Sequence, residues 1–290
     1  MGELALVLTT FIWGTTFILV KDSLAEIAPV RFLVLRFFLS AALLFAVAVV
    51  SRQRLDRATW RAGLLAAVPF AAVFLFQTFG LLWASPATSA FITSISVVLV
   101  PVFSVLFLGR RFGGWTWVGV LAAFAGLGAL SIRGDWSMGP GEMLTMGTAV
   151  GGAIHVLVLE RVSPGRSAAS LTAIMLLGGA FICLLFLPLD RGVLGRTESL
   201  LDPLSPRLWG IVVFMAVVGT AVTFFLQTWA QARMSATRVG VLIALEPVFA
   251  LLFSVAMGRE AFTLRAGVGM FLILAGMLTV ETLGRRQSQL

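Results

Sequence analysis

Glu246 is the residue whose chemistry is hardest to explain by packing, because it lies near the middle of the apolar run 236–257. An ionised carboxylate in such surroundings costs on the order of several kcal/mol unless it is paired, hydrated or protonated. Pro247 follows it, removes one helical hydrogen bond and leaves the carbonyl of Ile243 in need of another partner. Two interpretations follow: the carboxylate binds an amine or takes up a proton, or it pairs with Arg36 or with a neighbouring helix.

Four further side chains carry candidate chemistry of their own. Arg36 lies one or two turns inside an apolar run, where it is expected to extend to the nearer end of that run, or else to pair with Glu246 or attract a carboxylate. His155, the only histidine, is either a satisfied hydrogen-bonding group or a ligand contact or proton relay. Trp13 and Phe17 either pack in a core or form an aromatic wall for a cation or a ring.

Polar side chains also recur at a spacing of three or four residues, which places them on one face of a helix. Any one of them is explained by a hydrogen bond to a neighbouring helix, but such sets on four separate runs predict a polar cavity. The predicted lining residues are Trp13, Thr16, Phe17, Gln77, Ser89, Thr93, Ser96, Thr148, His155, Thr223, Gln227 and Glu246. Pro101 and Pro247 are predicted to kink two helices at matching positions and to serve in gating.

The sequence excludes several kinds of catalytic site. It has no G-x-x-x-x-G-K-[ST] motif for ATP and no G-x-S-x-G nucleophile motif, and one histidine cannot form H-E-x-x-H. Cys183 is the only cysteine, so neither an internal disulfide nor a thiolate metal cluster can form. The prediction is therefore a protein that is not an enzyme, with no metal and no other cofactor.

The composition points to a lipid bilayer as the surroundings of these groups. Of the 290 residues, 59% are apolar and only 12% are charged, and the mean hydropathy is +1.03. So few charges cannot coat a soluble domain of this size. A soluble globular protein, a disordered chain and a DNA-binding domain are excluded, and the net charge of +8 predicts membrane topology rather than a nucleic-acid partner.

Ten apolar runs are long enough to cross a bilayer as helices, since about 20 residues span the hydrocarbon core. They do not alternate as the strands of a membrane β-barrel would. The prediction is an all-α polytopic membrane protein with spans at about 3–20, 30–50, 62–83, 86–108, 115–132, 140–160, 168–188, 208–230, 236–257 and 264–283.

Arginine placement predicts the orientation of these spans. With the N-terminus in the cytoplasm, the inner loops carry twelve arginines and the outer loops carry eight Lys or Arg side chains, as the positive-inside rule requires. Both termini are therefore expected in the cytoplasm. The first run has no Lys or Arg before it and no A-x-A site after it, so we expect a membrane span rather than a cleaved signal peptide.

The two halves of the chain repeat each other. A shift of 150 residues superimposes Gln77-Thr78 on Gln227-Thr228, and a shift of 146 superimposes Pro101-Val102-Phe103 on Pro247-Val248-Phe249. Each unit holds five spans, an odd number, so the second unit must enter the membrane from the opposite side. The predicted units are 1–134 and 135–290, an inverted repeat whose substrate site is expected near the bilayer midplane.

The order and spacing of several short motifs resemble the EamA branch of the drug/metabolite transporter superfamily over nearly the whole chain. The motifs are Trp13-Gly14-Thr15-Thr16-Phe17 followed by Lys21, then Pro29, Arg36-Phe37, Pro101, Leu245-Glu246-Pro247-Val248-Phe249 and Leu274-Ala275-Gly276. The resemblance implies ten helices, cytoplasmic termini and export of amino acids, other metabolites or drugs. One departure concerns the acidic residue that usually follows span four: Arg110-Arg111 stands there, whereas Glu260 keeps the matching place in the second half.

The expected function is that of a secondary transporter in the bacterial inner membrane, which exports small metabolites, with amino acids as the expected class, by alternating access through the central cavity. The expected partners are a small-molecule substrate and the lipid bilayer, with protons as a candidate coupling ion and the oligomeric state left open. One alternative is an exporter of drugs and lipophilic cations, which predicts a cavity dominated by aromatic side chains with Glu246 exposed to it. The other is a non-transporting scaffold or lipid-processing protein, which predicts a filled interior.

Overall fold

The computed structural model describes residues 1–131, 139–192, 194–256 and 262–284, and all regular structure within these ranges is helical. The α-helices range from 5 to 27 residues in length. Two of them pass directly into short π-helical segments, Val217–Val222 and Val280–Gly284. The α-helices are α1 (Gly2–Ser23), α2 (Pro29–Val50), α3 (Arg57–Trp83), α4 (Pro86–Ser94), α5 (Ser96–Leu108), α6 (Gly114–Ser131), α7 (Pro140–Val162), α8 (Ala168–Leu185), α9 (Pro188–Gly192), α10 (Pro206–Ala216), α11 (Thr223–Gln231), α12 (Ala236–Ile243), α13 (Glu246–Ala256) and α14 (Leu264–Thr279).

Within the described ranges, eight helical segments are long and apolar enough to cross a membrane, and two more are apolar but shorter. The shorter ones are Gly114–Ala129 and Leu264–Thr279. The eight are Gly2–Ser23, Pro29–Val50, Arg57–Trp83, Thr88–Leu108, Pro140–Val162, Ala168–Gly192, Pro206–Gln231 and Ala236–Phe253. The length and composition of these helices confirm the prediction of an all-helical, multi-pass membrane protein. The predicted boundary between residues 134 and 135 and the predicted acid Glu260 lie outside the described residues.

Short polar residues and prolines define where the helices begin. Asp56 caps α3 by accepting a 2.8 Å hydrogen bond from the backbone N–H of Thr59, and hydrogen bonding to Thr59 lowers the pKa of Asp56. Helices α4, α8, α10 and α14 have similar caps from Ser85, Ser167, Ser205 and Thr263. These oxygens satisfy backbone N–H groups that have no partner inside the helix.

Two spans are interrupted near their centres. The first breaks at Ile95, between α4 and α5, and the second at Ala244 and Leu245, between α12 and α13. The breaks follow the 150-residue shift, so Ser96 and Glu246 take the same place as the first residues after a break. The prolines follow the 146-residue shift instead: Pro247 adjoins its break, whereas Pro101 lies inside α5, about one and a half turns beyond the break.

Lys21 and Asp190 satisfy backbone groups at the ends of two other helices. Lys21 Nζ donates hydrogen bonds to three carbonyls at the end of α3, those of Leu81, Leu82 and Ala84, where a cation complements the helix dipole. Asp190 accepts from the backbone N–H groups of residues 30 and 31 at the start of α2. Asp190 lies in α9, a short helix in a segment that the sequence predicts to be a loop.

Helices α6 and α14 pack tightly against each other through glycines. A Cβ on Gly126 would lie 2.6 Å from the carbonyl oxygen of Gly269, and a Cβ on Gly119 would lie 2.6 Å from that of Gly276. The lower-numbered glycine on one helix faces the higher-numbered glycine on the other, so the two helices are antiparallel. Small residues here allow the backbones to approach as closely as membrane helix pairs do.

We expect Gly126→Ala to destabilise the protein by about 1–3 kcal/mol, the usual cost of overpacking, since the added methyl group meets backbone atoms that cannot rotate away. Thermal unfolding of the purified protein in detergent measures the effect.

The control is Gly210→Ala, because Gly210 is a helical glycine with nothing within 4 Å of the added Cβ, and this change should leave the midpoint unchanged or slightly higher. Equal midpoints for the two variants would contradict the close packing of α6 on α14.

Candidate functional site

A cavity of about 90 Å3 lies between the interrupted helices and their neighbours, with room for a few water molecules. Helices α1, α3, α7 and α11 and the two interrupted spans supply most of its wall, and α2 contributes Arg36. The lining residues are Trp13, Thr16, Phe17, Val20, Arg36, Phe70, Val73, Phe74, Gln77, Leu81, Thr93, Ser96, Gly152, His155, Val156, Phe224, Gln227, Ile243 and Glu246.

The structure brings nine of the twelve predicted cavity residues to this wall and places three elsewhere. Thr223 donates hydrogen bonds to the carbonyls of Gly219 and Thr220 on its own helix. Thr148 points to α3, where its hydroxyl lies 3.4 Å from the carbonyl oxygen of Val73, and Ser89 is fully buried outside the lining. Helical spacing identified the correct faces but not which residues at the edge of each face contact a neighbouring helix.

Glu246 lies on the cavity wall at the start of α13, with 5% of its surface exposed. Among the described residues, its carboxylate has neither a hydrogen-bond nor an ion-pair partner. Its backbone is held by α1, because a Cβ on Gly14 would lie 2.9 Å from the carbonyl oxygen of Glu246. The close crossing of α1 and α13 therefore fixes the position of a carboxyl group that no group in the described parts of the chain neutralises.

Polar side chains of α1 and α2 donate hydrogen bonds to backbone carbonyls in or next to the π-helical segment Val217–Val222. Trp13 Nε1 donates a 3.3 Å hydrogen bond to the carbonyl of Gly219, and Ser40 donates a 2.7 Å bond to that of Ala216. A π turn removes carbonyls from the regular hydrogen-bond pattern, so they need partners from outside the helix. Trp13, which lies in the middle of its span, is thus positioned by a backbone group of the other half.

Arg36 serves the same π-helical segment. Its Nε donates to the hydroxyl of Thr220 and its Nη2 donates a 3.1 Å bond to the carbonyl of Gly219. Its guanidinium carbon lies 4.8 Å from the ring centre of Phe74, within the range of a cation–π contact. The expectation that Arg36 extends to the end of its run is wrong: it is 3% exposed, and among the described residues it does not form an ion pair with Glu246.

Aromatic rings make up much of the wall, and Phe70, Phe74 and Phe224 form a mutual cluster. Phe70 lies 4.9 Å from both Phe74 and Phe224 between ring centres, and Trp13 lies 5.1 Å from Phe224. These separations are typical of stabilising aromatic pairs. Phe224 was not predicted to line the cavity, because its neighbour Thr223 fits the spacing of three or four residues between polar side chains. The π turn just before α11 is the structural reason for the change of register.

Several polar atoms at the cavity lack partners within the described ranges. They are Oγ1 of Thr93, Oε1 of Gln227 and both ring nitrogens of His155, although the imidazole lies near the backbone carbonyl of Ala66 without reaching hydrogen-bond geometry. Buried polar groups are normally satisfied. These atoms can therefore bind water or a ligand that enters the cavity.

On the side of the molecule where α1 begins, hydrogen bonds and ion pairs connect residues that are far apart in the sequence. Arg110 pairs with Glu160 at 2.7 Å, and Glu160 also accepts a 2.9 Å bond from the backbone N–H of Ala236. Arg238 pairs with Glu3 at 2.9 Å. The arginine that stands where the resembled family has an acid is thus matched by an acid on α7. At the other end, Val20 and Leu81 extend the cavity wall to within a turn of the ends of α1 and α3.

No group of three or more potential metal ligands occurs in the part of the chain that the structure describes. The cavity residues are instead suited to noncovalent binding, with one carboxylate, one guanidinium, several unsatisfied polar atoms and a wall of aromatic rings. Such a mixture of apolar surface with a few polar groups is typical of small-molecule sites.

Two proteins similar to this chain are described as uncharacterized transporters. An uncharacterized transporter of Archaeoglobus fulgidus is 31% identical over 283 residues, which cover 97% of this chain and 85% of that protein. The uncharacterized transporter YvbV of Bacillus subtilis is 26% identical, over 98% and 92% of the two chains. A crystal structure of a protein 21% identical to this chain shares its fold, with a TM-score of 0.78 over 99% of this chain and 98% of that one.

The sequence matches the EamA-like transporter family over residues 1–132 and 139–282, which is nearly all of its length. The chain therefore belongs to the EamA-like transporter family, within the drug/metabolite transporter superfamily.

Proposed function

We propose that this protein is a secondary transporter that exports small metabolites, with amino acids as the leading class, across the bacterial cytoplasmic membrane. The observation that carries the proposal is the Glu246 carboxylate, which lies at a helix break on the wall of a central cavity without a partner among the described residues. An unpaired carboxylate inside the membrane has a high free-energy cost unless it binds a cation or a proton. The substrate ammonium group or a coupling proton supplies that positive charge.

Two inverted five-helix units, 1–134 and 135–290, form the proposed framework. The contacts between α6 and α14 support this arrangement, because Gly119 faces Gly276 while Gly126 faces Gly269. These pairs exchange under the 150-residue shift, as they would across a two-fold axis. Since α6 and α14 are antiparallel, such an axis lies in the membrane plane and relates units of opposite topology. Ten spans and two cytoplasmic termini complete the proposal.

Alternating access requires the cavity to change its opening and its size. At about 90 Å3 it holds a few waters, so helices must part to admit an amino acid. The ion pairs of Arg110 with Glu160 and of Arg238 with Glu3 close the proposed cytoplasmic end and must separate for loading. The interrupted spans and the π-helical segment give the units places to bend.

An exporter of lipophilic cations is the second candidate, favoured by the aromatic part of the wall. Trp13, Phe17, Phe70, Phe74 and Phe224 all line the cavity, and aromatic faces attract cations. Membership of a transporter family favours both candidates over a scaffold or a lipid-processing protein.

We expect Glu246→Gln to abolish the response of transport to a pH gradient, because the amide can neither bind a proton nor pair with an ammonium group. Counterflow of labelled amino acids, nucleosides and cationic dyes into liposomes, with and without the gradient, measures both the coupling and the substrate class.

The matched control for this variant is Glu26→Gln, which removes a carboxylate whose only ion pair in the described chain is an exposed one with Arg207. Unchanged pH dependence of the Glu246→Gln protein would remove the proposed role of Glu246 in coupling.

Water access to the cavity can be tested with single cysteines, since Cys183 is the only native cysteine and is buried. In a Cys183→Ala background, Gln77→Cys and Ser96→Cys should react with a hydrophilic thiol reagent, because both positions line the cavity. Thr148→Cys and Thr223→Cys are the controls, which should stay protected between helices. Equal reactivity at all four positions would show that the wall is not the water-accessible surface.

The inverted topology predicts the side of the membrane on which each loop lies. Green fluorescent protein fused after residue 290 should fluoresce, because that end is expected in the cytoplasm. Alkaline phosphatase fused within residues 194–205 should be active, because that loop is expected outside. The opposite pattern at either position would refute the ten-span arrangement.

A further inference from the structure

We infer that Arg36 determines substrate specificity and that the cavity selects zwitterions with an apolar side chain, whose carboxylate Arg36 binds while Glu246 binds the ammonium group. This inference rests on the proposed function and narrows it. It assigns the second charged group of the cavity a task beyond holding the π-helical segment.

The charges on the cavity wall favour a substrate that carries both signs. The lining residues include one guanidinium side chain, that of Arg36, and one carboxyl side chain, that of Glu246, and neither has an ion-pair partner within the described ranges. A monocation would neutralise the carboxylate and leave the guanidinium uncompensated, and an anion would do the reverse. A zwitterion supplies a partner for both the guanidinium and the carboxylate without changing the net charge of the cavity. This favours its binding because unpaired charges are poorly solvated inside a membrane.

Arg36 is positioned in advance for this task. Its bonds to Thr220 and Gly219 occupy Nε and Nη2, and Phe74 lies against the guanidinium plane. Nη1 has no hydrogen-bond partner among the described residues, and Arg36 is one of the residues that line the cavity. A guanidinium with a fixed plane and a free terminal donor pays little entropy to bind a carboxylate, and such charge-assisted bonds are strong.

The aromatic cluster predicts the third feature of the substrate. Phe70, Phe74 and Phe224 offer apolar ring surface to the same cavity, and burial of a hydrocarbon side chain against them is favourable. A ligand that joins two charged groups to a branched or aromatic hydrocarbon therefore matches all three parts of the wall.

Counterflow of labelled L-leucine into liposomes, with three competitors, tests this inference. Unlabelled L-leucine carries both charges, isoamylamine lacks the carboxylate and 4-methylpentanoate lacks the amine, while all three keep the same hydrocarbon. We expect each single-charge analogue to compete roughly 10- to 100-fold more weakly than leucine, the loss typical of one hydrogen bond to a charged group.

The Arg36→Gln variant should lower the competition by leucine toward that of isoamylamine and leave isoamylamine as effective as before. Ser40→Ala is the matched control: it removes another donor to the π-helical segment, from the next turn of α2, without changing the charge of the cavity. It should keep the preference for leucine.

Equal competition by isoamylamine and leucine in the natural protein would overturn the inference while leaving amino-acid transport intact, even if Arg36→Gln failed to fold. Loss of the preference in Ser40→Ala as well as in Arg36→Gln would show that Arg36 acts only through the π-helical segment. No leucine counterflow at all, with transport of cationic dyes, would instead contradict the proposed function itself.

Discussion

Polar groups inside a bilayer need hydrogen-bond partners within the protein. This requirement explains many of the contacts between the helices of this molecule. Backbone carbonyls released by the π-helical segment are bound by Trp13, Arg36 and Ser40. Carbonyls at the end of α3 are bound by Lys21. Within the described ranges, several groups on the wall of the central cavity have no such partner, namely the Glu246 carboxyl group and polar atoms of Thr93, Gln227 and His155. These groups without partners are where we propose that a ligand binds.

Close helix packing around this region keeps the unsatisfied groups in place. Glycines let α6 approach α14 and let α1 cross α13 with almost no space between the backbones. The 150-residue repeat places Ser96 and Glu246 at equivalent positions after the two helix breaks. One half thus contributes a hydroxyl where the other contributes a carboxylate.

Much of this arrangement could be predicted from the sequence because periodicity reports which face of a helix is polar. Gln227 was found in this way, whereas Glu246 was identified as a carboxylate in the middle of an apolar run. Periodicity does not report what a polar face meets, so Thr148 and Thr223, which bond to backbone carbonyls, were assigned to the cavity. The π-helical segment has no proline to reveal it. Without knowledge of its free carbonyls, a path to the membrane surface was the simpler expectation for Arg36.

A cryo-electron microscopy map of the protein in lipid nanodiscs with saturating L-leucine would locate the ligand directly. We expect ligand density inside the cavity that touches both Glu246 and Arg36, with hydrocarbon against the rings of Phe70 and Phe224. Density confined to the membrane-facing surface, or Glu246 and Arg36 both turned toward lipid, would contradict this expectation.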